Sequence, residues 1–499
     1  MKNQREPLTC RRERTLKRTA ILVFSMALTL CLAGCGSSYE YTTGNVDWYS
    51  TYTSGKTIND TYYYSDDWFS DDPSSENQEL ALASMQLTAA SVTDDENGAG
   101  AEFLKSMGFE EVGFSDFTSS DPASCNYTWG RKTISDGKGE CTLVAVAIQS
   151  YALDSKTKNH GWKQNFTVND PDGEPSGEHF GFASAADSIA ADIAALGTSD
   201  KVKIWITGQS RGGAIANIAA QRLPGLLGDK NGGVFAYTFE SPAAVDANTA
   251  AKADCKYIHN YICSDDFVTM IPVWGMSRYG VMHDLKTKET DEGLADALNA
   301  LGSDAADLKP RIIASEQAEH LAENLEAAIP SRADYSMKRT DKWTDADGKD
   351  HEVTYSCQEA MTALMDIVFD TESSDEEESP LSKLLGKREK IMDAADHLAE
   401  GIRLERSGSD PCTEYWEGAE SMYKVMEEAY GDGGVPCSSE DLYKILRTTA
   451  PILIDVPEDP SEEASVDLLV NLAGYSEEMT YSHQFDTIIA RLKILAPAP

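Results

Sequence analysis

Val202-Lys-Ile-Trp-Ile-Thr207 runs directly into Gly208-Gln-Ser-Arg-Gly212, and Gly213-Ala-Ile-Ala-Asn-Ile-Ala-Ala220 follows. The first stretch is apolar and β-branched, as a buried strand should be. The last is Ala-rich and helix-like. A strand, G-x-S-x-G and a helix in that order predict a nucleophile elbow, a strained turn that presents the Ser210 hydroxyl to a substrate. Only glycine leaves room there for the close strand and helix. The helix N-terminus supplies backbone N–H groups and a positive dipole end where an oxyanion would form. A glycine-rich β–α turn with an idle serine is the bland alternative, and the flanking sequence decides between them.

Outward from the elbow, strands and helices alternate. Asn126–Ile134 and Cys141–Ile148 are strand candidates, with Asp136-Gly-Lys-Gly139 as the turn signal between them. Cys141–Ile148 is nearly all apolar, which suits a strand buried on both faces. Phe180–Leu196 is Ala-rich and helical, and Val234–Phe239 and Lys256–Ile262 are further strands. Upstream, Glu79–Ala90 and Gly100–Gly108 read as short helices. The pattern predicts an α/β fold over residues 79–284, a mainly parallel sheet with helices on both faces. From 285 to 478 apolar residues recur at helical spacing in seven stretches, from Ala295–Leu301 to Ala464–Leu472. This block reads as a large helical insertion, a cap, with residues 479–499 returning to the core. Acid runs such as Asp375–Glu378 read as solvated loops. Asp345-Ala-Asp-Gly-Lys-Asp350 lacks the terminal glutamate of a calcium loop and reads as a hairpin turn.

The chain of 499 residues, 41% of them hydrophobic, is ample for a core and suggests two or three structural units. Residues 1–18 carry seven Lys/Arg against two acids, Ala20–Leu32 is a short apolar run, and Leu32-Ala-Gly-Cys35 follows. This is a secretory signal in three parts, too short to span a membrane comfortably. It resembles a bacterial lipobox. That resemblance implies cleavage before Cys35, diacylation of that cysteine, and tethering to the outer face of a cell membrane. Residues 36–78, rich in Tyr, Ser, Thr and Asp, read as a flexible tether. An adhesive tyrosine surface is the other reading. The net charge is −40, and without the basic leader the remainder stands near −45. Such a surface argues against nucleic acid as a partner and against lying flat on anionic lipid. Setting aside Cys10, Cys31 and Cys35 leaves seven cysteines and no C-x-x-C pair, so neither a zinc site nor a thioredoxin motif is expected. Export permits disulfides, but an odd count leaves at least one thiol over.

A serine nucleophile needs a base, and the base needs an acid to hold its tautomer. Behind an elbow the order is serine, acid, histidine. Ser264-Asp265-Asp266 follows the Lys256–Ile262 strand, so either aspartate could serve. Of the eight histidines, His160 and His179 precede the serine and His259 lies within the strand before the acid. His283 follows Asp266 closely, His320 and His397 sit in charged helices, and His351 is in a polar turn. His483 opens an aromatic and aliphatic helix, Tyr481-Ser-His-Gln-Phe-Asp-Thr-Ile-Ile-Ala-Arg-Leu492. His483 is the first candidate and His283 the second. The oxyanion hole needs two donors. One is the backbone N–H of Arg211, and the second should come from Gln149-Ser150-Tyr151, at Ser150 or Tyr151.

Several of these segments together resemble the class 3 lipases, particularly the larger secreted bacterial members. They are Gly208–Asn217, Tyr237-Thr-Phe-Glu-Ser-Pro242, Asp266-Phe-Val-Thr-Met-Ile-Pro272, Trp274-Gly275, Arg278-Tyr-Gly280, Trp162 with Asn165-Phe166, and the His483 segment. The resemblance covers roughly residues 80–285 and the far C-terminal stretch. It implies an α/β-hydrolase with Ser210 as nucleophile, Asp266 as acid and His483 as base, acting on lipid or acyl esters without a metal or organic cofactor, as a monomer. Two departures stand out. Gln-Ser-Tyr replaces the Arg-Gly-Thr/Ser usual in the oxyanion loop, and Gln209 stands where relatives often have histidine. The altered oxyanion loop and the Tyr-rich tether keep a non-catalytic surface binder on a degenerate hydrolase fold in play, and an acyltransferase or peptidase using the same triad is a second rival.

Overall fold

The computed structural model describes residues 39–50, 56–93, 98–115, 125–150, 155–173, 176–307, 312–370, 388–431, 434–459, 464–465, 481–496 and 498–499. The leader with Cys35, the acid run at 375–378 and Tyr151 lie outside them, and most of the stretch expected to be helical at 464–472 does too. The strands in chain order are β1 (Thr42–Tyr49), β2 (Thr57–Tyr64), β3 (Glu111–Phe114), β4 (Tyr127–Ser135), β5 (Glu140–Ile148), β6 (Val202–Gln209) and β7 (Asn231–Phe239). After them come β8 (Val245–Asp246), β9 (Ile258–Ile262), β10 (Met276–Ser277), β11 (Val281–Asp284), β12 (Arg339–Thr344) and β13 (Asp350–Tyr355). Among the described residues the main sheet has seven strands in the order β11-β9-β7-β6-β5-β4-β3. The pairs from β11 to β5 are parallel, and β4 and β3 add an antiparallel edge. With helices on both faces, this is the α/β-hydrolase arrangement.

The period-2 alternation of β6 explains the two layers. Val202, Ile204 and Ile206 point into one apolar cluster with the Phe180–Leu196 and Ser210–Leu227 helices. Lys203, Trp205 and Thr207 point the other way, toward the Gln78–Ala90 helix. Trp205 Nε1 donates to Ser84 Oγ at 2.7 Å, and the Thr207 and Thr88 hydroxyls pair at 2.9 Å. The rings of Tyr64 and Phe69 lie 6.0 and 5.8 Å from that of Trp205 and complete its cover.

That cover corrects the tether reading for the described part of residues 36–78. β1 and β2 form an antiparallel ribbon with Trp48 opposite Ile58. Trp48, Ile58, Tyr62, Tyr64, Trp68 and Phe69 are all buried. Along β2 the burial alternates strictly up to Tyr62, with Ile58, Asp60 and Tyr62 inside and Thr57, Asn59 and Thr61 outside. A segment poor in aliphatic residues builds this layer because aromatic rings supply the apolar area instead.

The block at 285–478 is helical where described, apart from the β12–β13 pair. The Asp345–Asp350 segment is the turn between those strands, with Gly348 N bonded to Asp345 O. Its helices surround their own core of Trp343, Tyr355, Leu398, Tyr415, Trp416 and Tyr443. The block seats on the main domain through paired hydrogen bonds between Asn169 and Gln358, and through Trp274 Nε1 donating to Ile329 O at 2.6 Å. Its first helix, Lys288–Leu301, belongs elsewhere. Leu294 and Leu298 pack with Tyr481 and Ala490 of the C-terminal segment. All seven cysteines among the described residues are free thiols.

If residues 42–64 are structural, Trp48→Ala should lower unfolding free energy by about 3–5 kcal/mol in urea titration. A tether residue would leave the midpoint unchanged.

Candidate active site

The elbow is built by steric exclusion. A Cβ on Gly208 would lie 2.4 Å from Gly212 O, and one on Gly212 would lie 2.4 Å from Ile148 O. Both glycines are therefore required for the Ser210–Leu227 helix to start against the tips of β5 and β6. Ser210 itself sits at φ +55°, a left-handed conformation that costs a non-glycine residue on the order of 1–2 kcal/mol. Such strain concentrates where a side chain must be held for function. Asn217, farther along the helix, ties the elbow to the acid strand. Its Nδ2 donates to Asn260 Oδ1 of β9 at 2.8 Å and to Tyr279 O at 2.8 Å.

The acid and base positions meet across the whole chain. His483 Nδ1 and Asp266 Oδ2 are 2.6 Å apart, between residues separated by 217 positions. Asp266 is fully buried and caps the short Phe267–Met270 helix, with Val268 N donating to Oδ1 at 2.9 Å. A buried carboxylate with both oxygens engaged avoids the cost of an unpaired charge. Asp265, the alternative acid, faces away from the imidazole. It takes Lys286 Nζ at 2.6 Å and the Ser482 hydroxyl at 2.8 Å, and so latches the residue beside His483.

The C-terminal segment is held from behind by the Phe485–Leu495 helix, in which Phe485, Ile488, Ile489 and Leu492 are buried. Arg491 Nη1 donates to Thr290 Oγ1 at 2.9 Å and pairs with Asp291 at 2.7 Å. Ser50 Oγ donates to Asp486 at 2.9 Å, and Lys493 pairs with Asp60 at 2.6 Å. The N-terminal ribbon thus helps to hold the histidine.

The other histidines have other work. His283 bonds His259 at 3.1 Å and lies 3.4 Å from Glu76, on the β9–β11 edge of the sheet. This removes it as the alternative base. His179 is buried against Phe182, and burial pulls it down to about 3, so it stays neutral. His351 pairs with Asp345, His397 with Glu414 and His320 with Asp455. The side chain of His160 lies outside the described residues.

On the oxyanion side the outcome is mixed. Arg211 is the second residue of the elbow helix, so its backbone N–H belongs to the first turn, where helices lack internal acceptors. Its side chain is buried, with Nη1 donating to Cys125 Sγ at 3.1 Å and Nη2 to Gln164 Oε1. Ser150 does not offer its hydroxyl to a substrate. That hydroxyl points at Gln209, 2.8 Å from its backbone carbonyl and 2.8 Å from its side-chain Oε1. The other candidate donor, Tyr151, lies outside the described residues.

Two residues matter beyond the candidate triad and oxyanion residues. Gln209 is a crossbar: Oε1 accepts from Ser150 while Nε2 donates to His483 O at 2.8 Å. The amide thus joins Ser150, just past β5, to the histidine segment, a role for which its position just before the serine was the available signal. Glu240, fully buried beyond the tip of β7, also takes a positive φ of +43°. Its signal was an acid closing an otherwise apolar strand. A cavity of about 610 Å³ lined by Asp265, Met270, Lys286 and Glu319 opens beside the acid loop, without Ser210 or His483 in its lining.

Residues 132–276 match the lipase (class 3) family. No curated protein matches the chain. Among solved structures, the triacylglyceride lipase of Rhizomucor miehei is similar at 18% identity, with 43% of this chain and 82% of that one covered and a TM-score of 0.29. A lipase of Rhizopus microsporus var. chinensis aligns at 18% identity over 43% of this chain and 77% of its own, with a TM-score of 0.28. The Lip2 lipase of Yarrowia lipolytica aligns at 13% identity over 42% and 77%, with a TM-score of 0.25.

Removing the crossbar should be felt at the site more than in the fold. Gln209→Ala is expected to lower kcat/KM for a soluble ester about tenfold, the worth of one or two hydrogen bonds. Gly212→Ala should instead cost about 1–3 kcal/mol of stability in denaturant titration, because its Cβ meets backbone that cannot move aside.

Proposed function

We propose, from the match of residues 132–276 to the class 3 lipase family, that the protein hydrolyses carboxylic esters of lipids or other acyl compounds through Ser210, His483 and Asp266. The observation that carries this reading is the 2.6 Å hydrogen bond between His483 and Asp266, in a chain whose serine sits at φ +55° on a glycine-flanked elbow. Gln209 supports it further, because its side chain bonds the His483 carbonyl from the position next to Ser210.

In this mechanism His483 removes the Ser210 proton as Oγ attacks the ester carbonyl. The developing oxyanion faces the Arg211 N–H at the helix N-terminus. Asp266 holds the imidazole by Nδ1 and stabilises the imidazolium without taking its proton. His483 then protonates the departing alcohol, and an acyl group remains on Ser210. Water, deprotonated by the same imidazole, releases the acid and restores the serine. The helical block seats on the loop at 166–178 and on the acid loop near Trp274. From there it covers the approach to the site and selects the acyl or alcohol part.

The leader and Cys35 extend the proposal to location: an extracytoplasmic enzyme, lipid-anchored to the outer face of a bacterial cell membrane. Cys35→Ser should then move the protein from the detergent phase to the aqueous phase.

A fluorophosphonate probe tests the chemistry directly. Labelling should require Ser210 and fall to background in Ser210→Ala. Ser210→Ala and His483→Ala should each lower kcat on p-nitrophenyl esters on the order of 10⁴-fold or more. A folded wild-type protein that takes no label would favour the non-catalytic binder. Label with acyl transfer to an added alcohol, in preference to water, would favour the acyltransferase.

A further inference from the structure

The catalytic reading uses one buried acid, but the structure places two there. Glu240 and Asp266 are both fully buried and bracket Cys263, whose N–H goes to the Glu240 carboxyl group and whose carbonyl accepts the Asp266 N–H at 3.0 Å. Glu240 Oε2 accepts the Cys263 N–H at 2.9 Å, while Oε1 is buried with no donor to satisfy it. Asp266 differs: Val268 N–H engages one of its oxygens and His483 the other. Two carboxylates in one dry site cannot both be charged, and the proton goes to the less well solvated of them. Glu240 has the single N–H.

We propose that Glu240 is a positioning residue: it stays uncharged and donates a hydrogen bond from Oε1 to the Asp266 carboxylate, so that the unit holding the imidazole is Glu240–Asp266–His483. The inference rests on the triad reading only for its effect on catalysis. The protonation itself does not depend on it.

The surroundings agree. Burial pushes the Glu240 carboxyl well above the usual range, and the charge of Asp266 adds to it. The charged and titratable groups facing it are Asp266, the Cys263 thiol and the Arg278 guanidinium, with Arg491 and Asp265 beyond Cys263. Arg278 could have neutralised a second carboxylate, but it donates to carbonyls, Ser241 O at 2.9 Å and Thr269 O at 2.7 Å. The Cys263 thiol is itself held far up by burial and is neutral beside Glu240. The backbone is bent to suit: at φ +43° Glu240 N still donates to Tyr261 O at 2.9 Å, and the side chain turns back toward the acid loop.

A donor on Asp266 draws density from the carboxylate and weakens its hold on the imidazolium. Its removal should favour the imidazolium and move the acid limb of the kcat/KM profile upward. Glu240→Leu is therefore expected to shift that limb up by about one unit, the worth of a charge-assisted hydrogen bond. Glu240→Gln keeps an N–H donor and should leave the limb in place. If Glu240→Gln instead moves the limb down, a negative charge has been lost and the proposal falls. Infrared spectroscopy of the wild-type protein reads the proton without any variant. A protonated-carboxyl C=O band should persist at neutral pH and shift when the protein is made with ¹³C-labelled glutamate. Absence of such a band overturns the proposal. A band that shifts on glutamate labelling, in a protein whose fluorophosphonate labelling does not need Ser210, would sink the catalytic reading and leave the protonation standing.

Discussion

The hydrogen bond from His483 to Asp266 joins two parts of the chain 217 residues apart, and the rest of the molecule is arranged to keep it at 2.6 Å. One hydrogen bond is worth about 1 kcal/mol net and cannot hold a chain end in place by itself. The burial of Phe485, Ile488, Ile489 and Leu492 does that work. Fully burying each such side chain contributes about 1.5–3 kcal/mol. The polar contacts then set the register: Asp265 on Ser482, Gln209 on the His483 carbonyl, and Arg491 on Thr290. Hydrophobic area supplies the strength of the docking, and directional bonds supply its aim.

The elbow shows the complementary constraint. There the chain is held by what does not fit. Side chains at 208 or 212 would collide with backbone oxygen at 2.4 Å, so the helix can begin close beneath β5 and β6 only as this sequence allows. The strained Ser210 dihedral persists because Asn217, the glycines and the Gln209 crossbar over-determine the surrounding backbone. The departures from the usual family residues also acquire a structural sense. Gln209 reaches both neighbouring segments with one amide, and Ser150 is its partner on the oxyanion side.

The parallel strands and the strand–turn–helix of the elbow were legible because each rests on local pattern. β5 and β6 are continuous apolar runs, and the elbow is five consecutive residues. The choice between Asp265 and Asp266 was legible only through resemblance, since adjacent carboxylates differ in direction and not in composition. The N-terminal ribbon was misread because its bulk apolar content is low. The alternation Ile58, Asp60, Tyr62 was present, but a buried aspartate at its centre broke the apolar signal. That aspartate is inside because Gln86 and Lys493 pair with it, partners 26 and 433 residues away. The Lys288–Leu301 helix looked like the start of the cap, and only tertiary packing reveals it as the bed of the C-terminal helix. Glu240 lay in plain view within the Tyr237–Pro242 segment, but its meaning depends on what it faces.

Ser50 on Asp486 and Asp60 on Lys493 stitch the first ribbon of the fold to its last helix. A ribosome makes those partners 436 and 433 residues apart. Residue 483 is polymerised after every strand of the main sheet, and until then the proposed triad lacks its base. On the proposed reading, a nascent chain is therefore chemically silent until residue 483 has been added. Under the proposed ester-hydrolase reading, this order of synthesis keeps the growing chain from acting on cellular lipids.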